Sequence, residues 1–224
     1  MKSLVICGNL QAVMAIAPEP SLGLALHTTT PQLGLSLRHL TTGEQRTALW
    51  DLGRDLSAQL HCYLQEFIQP HAWQDIAFLG VAKGPGGFTG TRLGVVTART
   101  LAQQLNIPLY GISTLAAIAF QGRENRLDQT VAVALPARRG AVFGAIYQIT
   151  ATGAIALVPD QLFTPTAWAD CQSNFPDLQV LDPPEAIGET VTEVLSLAQS
   201  QWQGEPQGPW GAVVPFYGQH PVYQ

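Results

Sequence analysis

Apolar positions along the chain change period several times, and each change marks an element. Residues 22–27 and 33–38 are short apolar-rich runs on either side of the turn Thr28-Thr29-Thr30-Pro31, which predicts two strands. After Thr41-Thr42-Gly43, residues 44–50 read as a third. From 54 to 69 the period lengthens. Leu56, Leu60, Tyr63, Leu64 and Phe67 recur at three- and four-residue spacing, which predicts a helix that Pro70 ends. Ala58 and Cys62 fall on a different, half-apolar flank of it that need not be buried.

Residues 76–82 (IAFLGVA) are apolar without alternation, the pattern of a strand buried on both faces. They run into Lys83-Gly84-Pro85-Gly86-Gly87-Phe88-Thr89-Gly90, and a helix is predicted over 91–105, broken by Asn106-Ile107-Pro108. A strand over 109–113 and a helix from 114 to 121 follow. This strand–helix–strand order implies a parallel crossover and an α/β sheet. After a polar stretch at 123–129, strands are predicted at 130–135, 141–150 and 154–163, and helices at 166–171 and 184–201. The segment 204–224, rich in glycine and proline, reads as irregular. The expected organisation is a loosely ordered extension over 1–21, a first lobe over 22–121, and a smaller second lobe over 130–224 whose last segment returns toward the first. Within the extension, Leu4-Val5-Ile6-Cys7 resembles an export signal, but Gly8, Asn9 and Gln11 interrupt it, and Met14 is an alternative start.

With 46% hydrophobic and 12% charged residues, the 224-residue chain is not disordered as its main state. A net charge of −5 and only two lysines, Lys2 and Lys83, leave no general electrostatic footprint for nucleic acid. Cys7, Cys62 and Cys171 are far apart and read as reduced thiols of a cytoplasmic protein. His27, His39, His61, His71 and His220 show no metal-ligand spacing. No membrane segment is expected.

The glycines of 84–90 look like a phosphate cradle. They lack the Lys-Ser/Thr pair of a phosphate loop and the spacing of a dinucleotide fingerprint. A sharp corner with glycine at positive φ is the simpler expectation. In the helix that follows, Gly94, Ala98 and Ala102 form a flat stripe on which another helix could pack closely, while Arg92, Arg99 and Gln103 share the opposite arc with Leu93 and Val96 nearby. One reading is core on one side and solvent on the other. The sharper one is core inside and a partner helix outside.

The string Gly84-Pro85-Gly86-Gly87-Phe88-Thr89-Gly90-Thr91-Arg92-Leu93-Gly94, continuing to Ala98, Leu101 and Ala102, resembles the TsaB (YeaZ) family. Leu24 to Thr30, Gly53-Arg54-Asp55-Leu56-Ser57, Ile107 to Leu115, Ala134 to Phe143, and Pro215-Phe216-Tyr217 with Pro221-Val222-Tyr223 match it in order. The resemblance is dense to Leu115 and thin from Thr150 to Gly211. It implies an actin/Hsp70-like (ASKHA) two-lobe α/β fold with mixed sheets and flanking helices. It also implies a non-catalytic role, with no cofactor and no metal. The subunit would pair through its first-lobe helices with a TsaD-type transferase that makes threonylcarbamoyladenosine (t6A) beside the tRNA anticodon. A TsaE-type ATPase would join them, tRNA would be met only through the complex, and a homodimer of the chain alone is left as an alternative assembly. The partner face would comprise Ala58, Cys62, Arg92, Leu93, Val96, Arg99 and Gln103.

The family often carries Asp where this chain has His27 and Pro136, and Glu where it has Ala141. A neutral imidazole and a proline cannot position magnesium and water, which argues against ATP hydrolysis. His27 is then expected to be a hydrogen-bonded residue at a strand end. The rivals are an actin-like ATPase or kinase using residues 84–90, and a peptidase built on Ser57 with His61 one helical turn on. The peptidase would lack an oxyanion hole and a third group.

Overall fold

The computed structural model describes residues 20–216 and 218. The expectations for residues 1–19, and the matches at Tyr217 and Pro221-Val222-Tyr223, lie outside the described residues. Two sheets, each with helices packed on it, make the two-lobe α/β architecture.

The first sheet has the order β3-β2-β1-β4-β5. Strands β1 (Leu22–His27), β2 (Gln32–His39) and β3 (Gln45–Asp51) form an antiparallel meander. Strands β4 (Ile76–Ala82) and β5 (Leu109–Ile112) lie parallel to β1, each reached through a helix. Helix α1 (Leu56–Ile68) is preceded by a 3-10 turn at Gly53–Asp55, so it begins two residues later than its periodicity predicts. Helix α2 (Phe88–Leu105) begins three residues earlier than expected, inside the glycine-rich string.

Alternation along the strands sorts two cores. Leu22, Leu24 and Leu26 of β1, Leu33, Leu35 and Leu37 of β2, and Leu79 and Val81 of β4 point to one face, under Leu56, Leu60 and Leu64 of α1 and Val95, Ala98 and Ala102 of α2. Ala25, Phe78 and Ala82 point to the other face, where α5 (Val191–Gly204) lies across the sheet with Val194, Leu195 and Ala198. Gly80 keeps α5 close: a Cβ there would sit 2.8 Å from the Ala198 Cβ.

The second sheet has the order β8-β7-β6-β9. Strands β6 (Thr130–Pro136), β7 (Val142–Ile149) and β8 (Ala154–Phe163) are an antiparallel meander. Strand β9 (Gln179–Leu181), which no sequence pattern announces, pairs parallel to β6 after helix α4 (Pro165–Ser173). Trp168 of α4 packs over Gly144, where a Cβ would meet its ring at 2.7 Å. Helix α3 (Thr114–Phe120) is buried throughout. It shares one core with β6, β7 and α5, so α3 and α5 fill the space between the sheets. The segment expected to be one helix over 184–201 is a 3-10 turn at Ile187–Thr190 followed by α5. Among the described residues, no helix is long and apolar enough to cross a membrane.

A polar cluster ties the lobes together. Tyr147 of β7 donates its hydroxyl proton to Asp160 of β8, and its oxygen stands 3.2 Å from the Ser113 Oγ of the first lobe. Ser113 in turn accepts from the Ala116 amide and so caps α3. Burial pushes the Asp160 carboxyl above its ordinary value, opposed by hydrogen bonds from Ser113 and Tyr147 and by the charge of Lys83. Burial, with Asp160 beside it, likewise raises the Tyr147 phenol.

Candidate functional site: an outward helix pair, a glycine turn and the cleft between the lobes

The glycine-rich string is a close-packing device more than a flexible corner. Of its glycines only Gly84 has a positive φ, +101°. Gly86 and Gly90 are required by contact. A Cβ on Gly86 would lie 2.4 Å from the Thr29 carbonyl oxygen, and one on Gly90 would lie 2.1 Å from that of Thr28. One on Gly94 would lie 2.1 Å from the Thr28 Oγ1. The contact is also bonded: the Gly87 amide donates to the Thr29 carbonyl at 2.6 Å, and the Thr28 hydroxyl donates to the Gly90 carbonyl at 2.8 Å. The small-residue stripe Gly94, Ala98 and Ala102 therefore faces the turn after β1 and the first sheet, all three residues being buried. The expectation that another helix would pack on this stripe is corrected: the close approach is to a strand-end turn.

With that face spent on the core, the opposite face of α2 is outward. Arg92, Val96 and Gln103 are exposed, and Leu93 and Arg99 half-buried. Val96, an apolar residue in mid-helix, is 53% exposed. On α1, Ala58 and Cys62 are exposed one turn apart, while Tyr63 turns inward against Trp50 with ring centroids 4.8 Å apart. Ser57 and His61 are both exposed on α1.

Between the lobes lies a cleft of about 1390 Å³. Thr89 at the start of α2, Arg54 before α1, and Arg138 and Arg139 in the β6–β7 turn all line it. Among the described residues, no group of three or more His, Cys, Asp or Glu side chains is placed to hold a metal ion.

His27 corrects another expectation. It is fully buried at the end of β1, and neither ring nitrogen has a hydrogen-bond partner among the described residues. It shares the strand face of Ala25, the face that α5 covers. Sequence alone places His27 at a strand end. Its dry surroundings are set by chain some 160 residues later. Burial pushes its imidazole from 6.5 down to about 4. The folded state thus holds fewer protons than the unfolded chain between those values, and stability rises with pH across that window and is lost as pH falls through it. We expect His27 to cost the fold about 2 kcal/mol between pH 7.5 and pH 5. Urea unfolding at both values checks this against His27→Leu. An equal pH dependence in the two proteins would show that His27 is not the titrating group.

Known proteins share this arrangement. The family model for TsaD, tRNA N6-adenosine threonylcarbamoyltransferase, matches residues 57–194. The Bacillus subtilis tRNA threonylcarbamoyladenosine biosynthesis protein TsaB is 39% identical over 97 residues, 43% of this chain and 42% of that protein. The Escherichia coli protein of the same name is 43% identical over 76 residues, 33% of this chain and 32% of that one. The matches thus span less than half the length of these curated relatives. The solved structure of YeaZ from Pseudomonas aeruginosa superposes with a TM-score of 0.69 at 22% identity, covering 88% of this chain and 99% of that one. That likeness shows the fold, the two-lobe α/β fold with mixed sheets and flanking helices. The chain belongs to the TsaD family, whose model is that of tRNA N6-adenosine threonylcarbamoyltransferase, and the curated relatives it matches over part of their length are named TsaB.

Proposed function

We propose that the chain is a non-catalytic partner subunit in t6A formation, docking a TsaD-type transferase on the outward face of α1 and α2. The observation that carries this reading is that face itself. Ala58, Cys62 and Val96 are small or apolar and exposed, Leu93 is half-buried beside them, and Arg92, Arg99 and Gln103 make a polar rim. An apolar centre with a polar rim is the anatomy of a protein–protein interface. The inner face of the same helices is already committed to the sheet, so the outer face is what the pair can offer a partner. The relatives named for t6A biosynthesis support the assignment to that machinery. In this reading the chain works in the cytoplasm, a TsaE-type ATPase joins the pair, and tRNA is met by the assembly.

Coexpression with the TsaD-type protein of the same source should give a heteromeric complex on size exclusion. The complex should form t6A on tRNA when supplied with the threonylcarbamoyl donor, and the isolated chain should show no ATP turnover. Failure to associate, or sustained ATP hydrolysis by the chain alone, would overturn this reading.

A further inference from the structure

Charge on the outward helix pair runs against that of the chain as a whole. The chain carries 16 acidic and 11 basic residues. Helix α2 is the reverse: its 18 residues include Arg92 and Arg99 and no Asp or Glu. On α1 the one carboxylate is Glu66, in the last turn.

Arg92 and Arg99 are seven residues apart, two turns along one face, with Val96 between them. That spacing separates them by about 10 Å along the helix axis. The positions three and four residues from each hold no acid, so α2 supplies neither with an intrahelical ion pair. Among the described residues neither guanidinium has a hydrogen bond, an ion pair or a ring contact, and Glu66 bonds to neither. Arginines that serve the fold are placed differently. Arg38 bonds to Gln45, Gln199 and Ser196, and Arg46 donates to the Phe67 carbonyl. Arg123 lies over the Phe120 ring.

We propose that Arg92 and Arg99 select the partner: the surface that docks on α1 and α2 carries carboxylates about 10 Å apart, one opposite each arginine, around an apolar spot that receives Val96. That selectivity rests on the docking role of this face and defines the chemistry of its occupant, the TsaD-type subunit. Docking takes water from both guanidiniums, and a surface without carboxylates would leave them unpaired. A carboxylate can accept two parallel bonds from one guanidinium, and opposite charge speeds the encounter. A second copy of this chain fits less well. A two-fold contact through the same helices would gather four arginines against two glutamates, so like charge discriminates against it. An RNA backbone also fits less well, because Ala58, Cys62, Leu93 and Val96 beside the arginines offer a phosphate no donor.

The test uses the full chain and the TsaD-type protein of the same source. Association is followed by surface plasmon resonance at about 50 mM and about 500 mM sodium chloride. Wild-type binding should weaken as salt rises. Arg92→Gln combined with Arg99→Gln should weaken it more than about tenfold at low salt, chiefly through slower association, and should flatten the salt dependence. Arg92→Lys combined with Arg99→Lys keeps the charge and should keep most of that dependence. Melting temperatures equal to wild type show that the variants are folded. If the glutamine pair does not fold, Arg92→Gln alone, at an exposed side chain, reads the same salt dependence at about half its size. Wild-type affinity and an unchanged salt dependence in the folded glutamine pair overturn the proposal. The docking face itself still stands if Ala58→Glu with Val96→Glu abolishes the complex, and falls too if neither pair of substitutions alters binding. Transfer RNA bound by the isolated chain through these arginines, with the TsaD-type complex indifferent to them, also overturns it. So does a homodimer that the glutamine pair weakens while the TsaD-type complex is unchanged.

Discussion

A chain carrying Ala58→Glu together with Val96→Glu should keep its fold and lose its TsaD-type partner. Both positions are exposed, Val96 at 53%, and neither belongs to a core cluster of the isolated subunit. A surface glutamate on a helix costs little, because the residue forms helix well and keeps its water. In a docked interface the same two carboxylates lose that water. In the docked face Val96 lies between the apolar centre and the Arg92 and Arg99 rim, and those two guanidiniums offset only part of the several kcal/mol that burying two carboxylates costs. Association should therefore weaken by more than about a hundredfold, with the unfolding midpoint in urea unchanged. Pull-down with the wild-type and double-variant chains, alongside urea denaturation of each, measures both quantities. A folded double variant that binds as well as the wild type would exclude the α1–α2 face. A double variant that unfolds would place these residues in the subunit's own core, against their exposure.

How far the molecule can be read from its residues differs from element to element. Strands β1, β4 and β8 have the observed bounds because their runs are long and their flanking turns chemically distinct. Strand β9 has no such signal: Gln179-Val180-Leu181 is three residues long, and pairing with β6 is what makes it a strand. The start of α2 was hidden for a related reason. Glycine is a poor helix former, and three of them before Phe88 read as loop, with a fourth, Gly90, inside the helix. Helix geometry at Phe88, Thr89 and Gly90 is supported by the bonds to Thr28 and Thr29, residues some 60 positions earlier.

The same long-range contact explains why the small-residue stripe does not by itself identify what packs on it. A four-residue repeat of Gly94, Ala98 and Ala102 shows that something approaches closely but not what approaches, and a strand end satisfies it as well as a helix does. The period of Arg92, Val96, Arg99 and Gln103, by contrast, places them on one face in any helix, and the outward side follows once the stripe is known to be inward. The cleft had the least signal of all. Arg54 and Arg138 are 84 positions apart in the chain, and only the closure of the two lobes sets them around one cavity.

Replacing Gly90 by alanine should be the most damaging single-methyl change in the first lobe. The added Cβ would stand 2.1 Å from the Thr28 carbonyl oxygen, well inside contact distance, and the obstacle is backbone. Thr28 cannot easily retreat. It is fully buried, and its hydroxyl is bonded to the Gly90 carbonyl at 2.8 Å. Moving the turn away from α2 would break that bond and strain the Gly87–Thr29 bond beside it. Alanine's better helix propensity returns about 1 kcal/mol, so a net loss of about 2–3 kcal/mol is expected. Gly204 makes the contrast. It ends α5 with nothing within 4 Å of a built Cβ, so Gly204→Ala should be neutral or slightly stabilising. Urea unfolding of the two variants measures the difference, and a Gly90→Ala protein within about 0.5 kcal/mol of wild type would show that α2 and the turn shift apart at little cost. Because α2 carries the outward face on its other side, a shift of the helix away from Thr28 should also weaken partner docking.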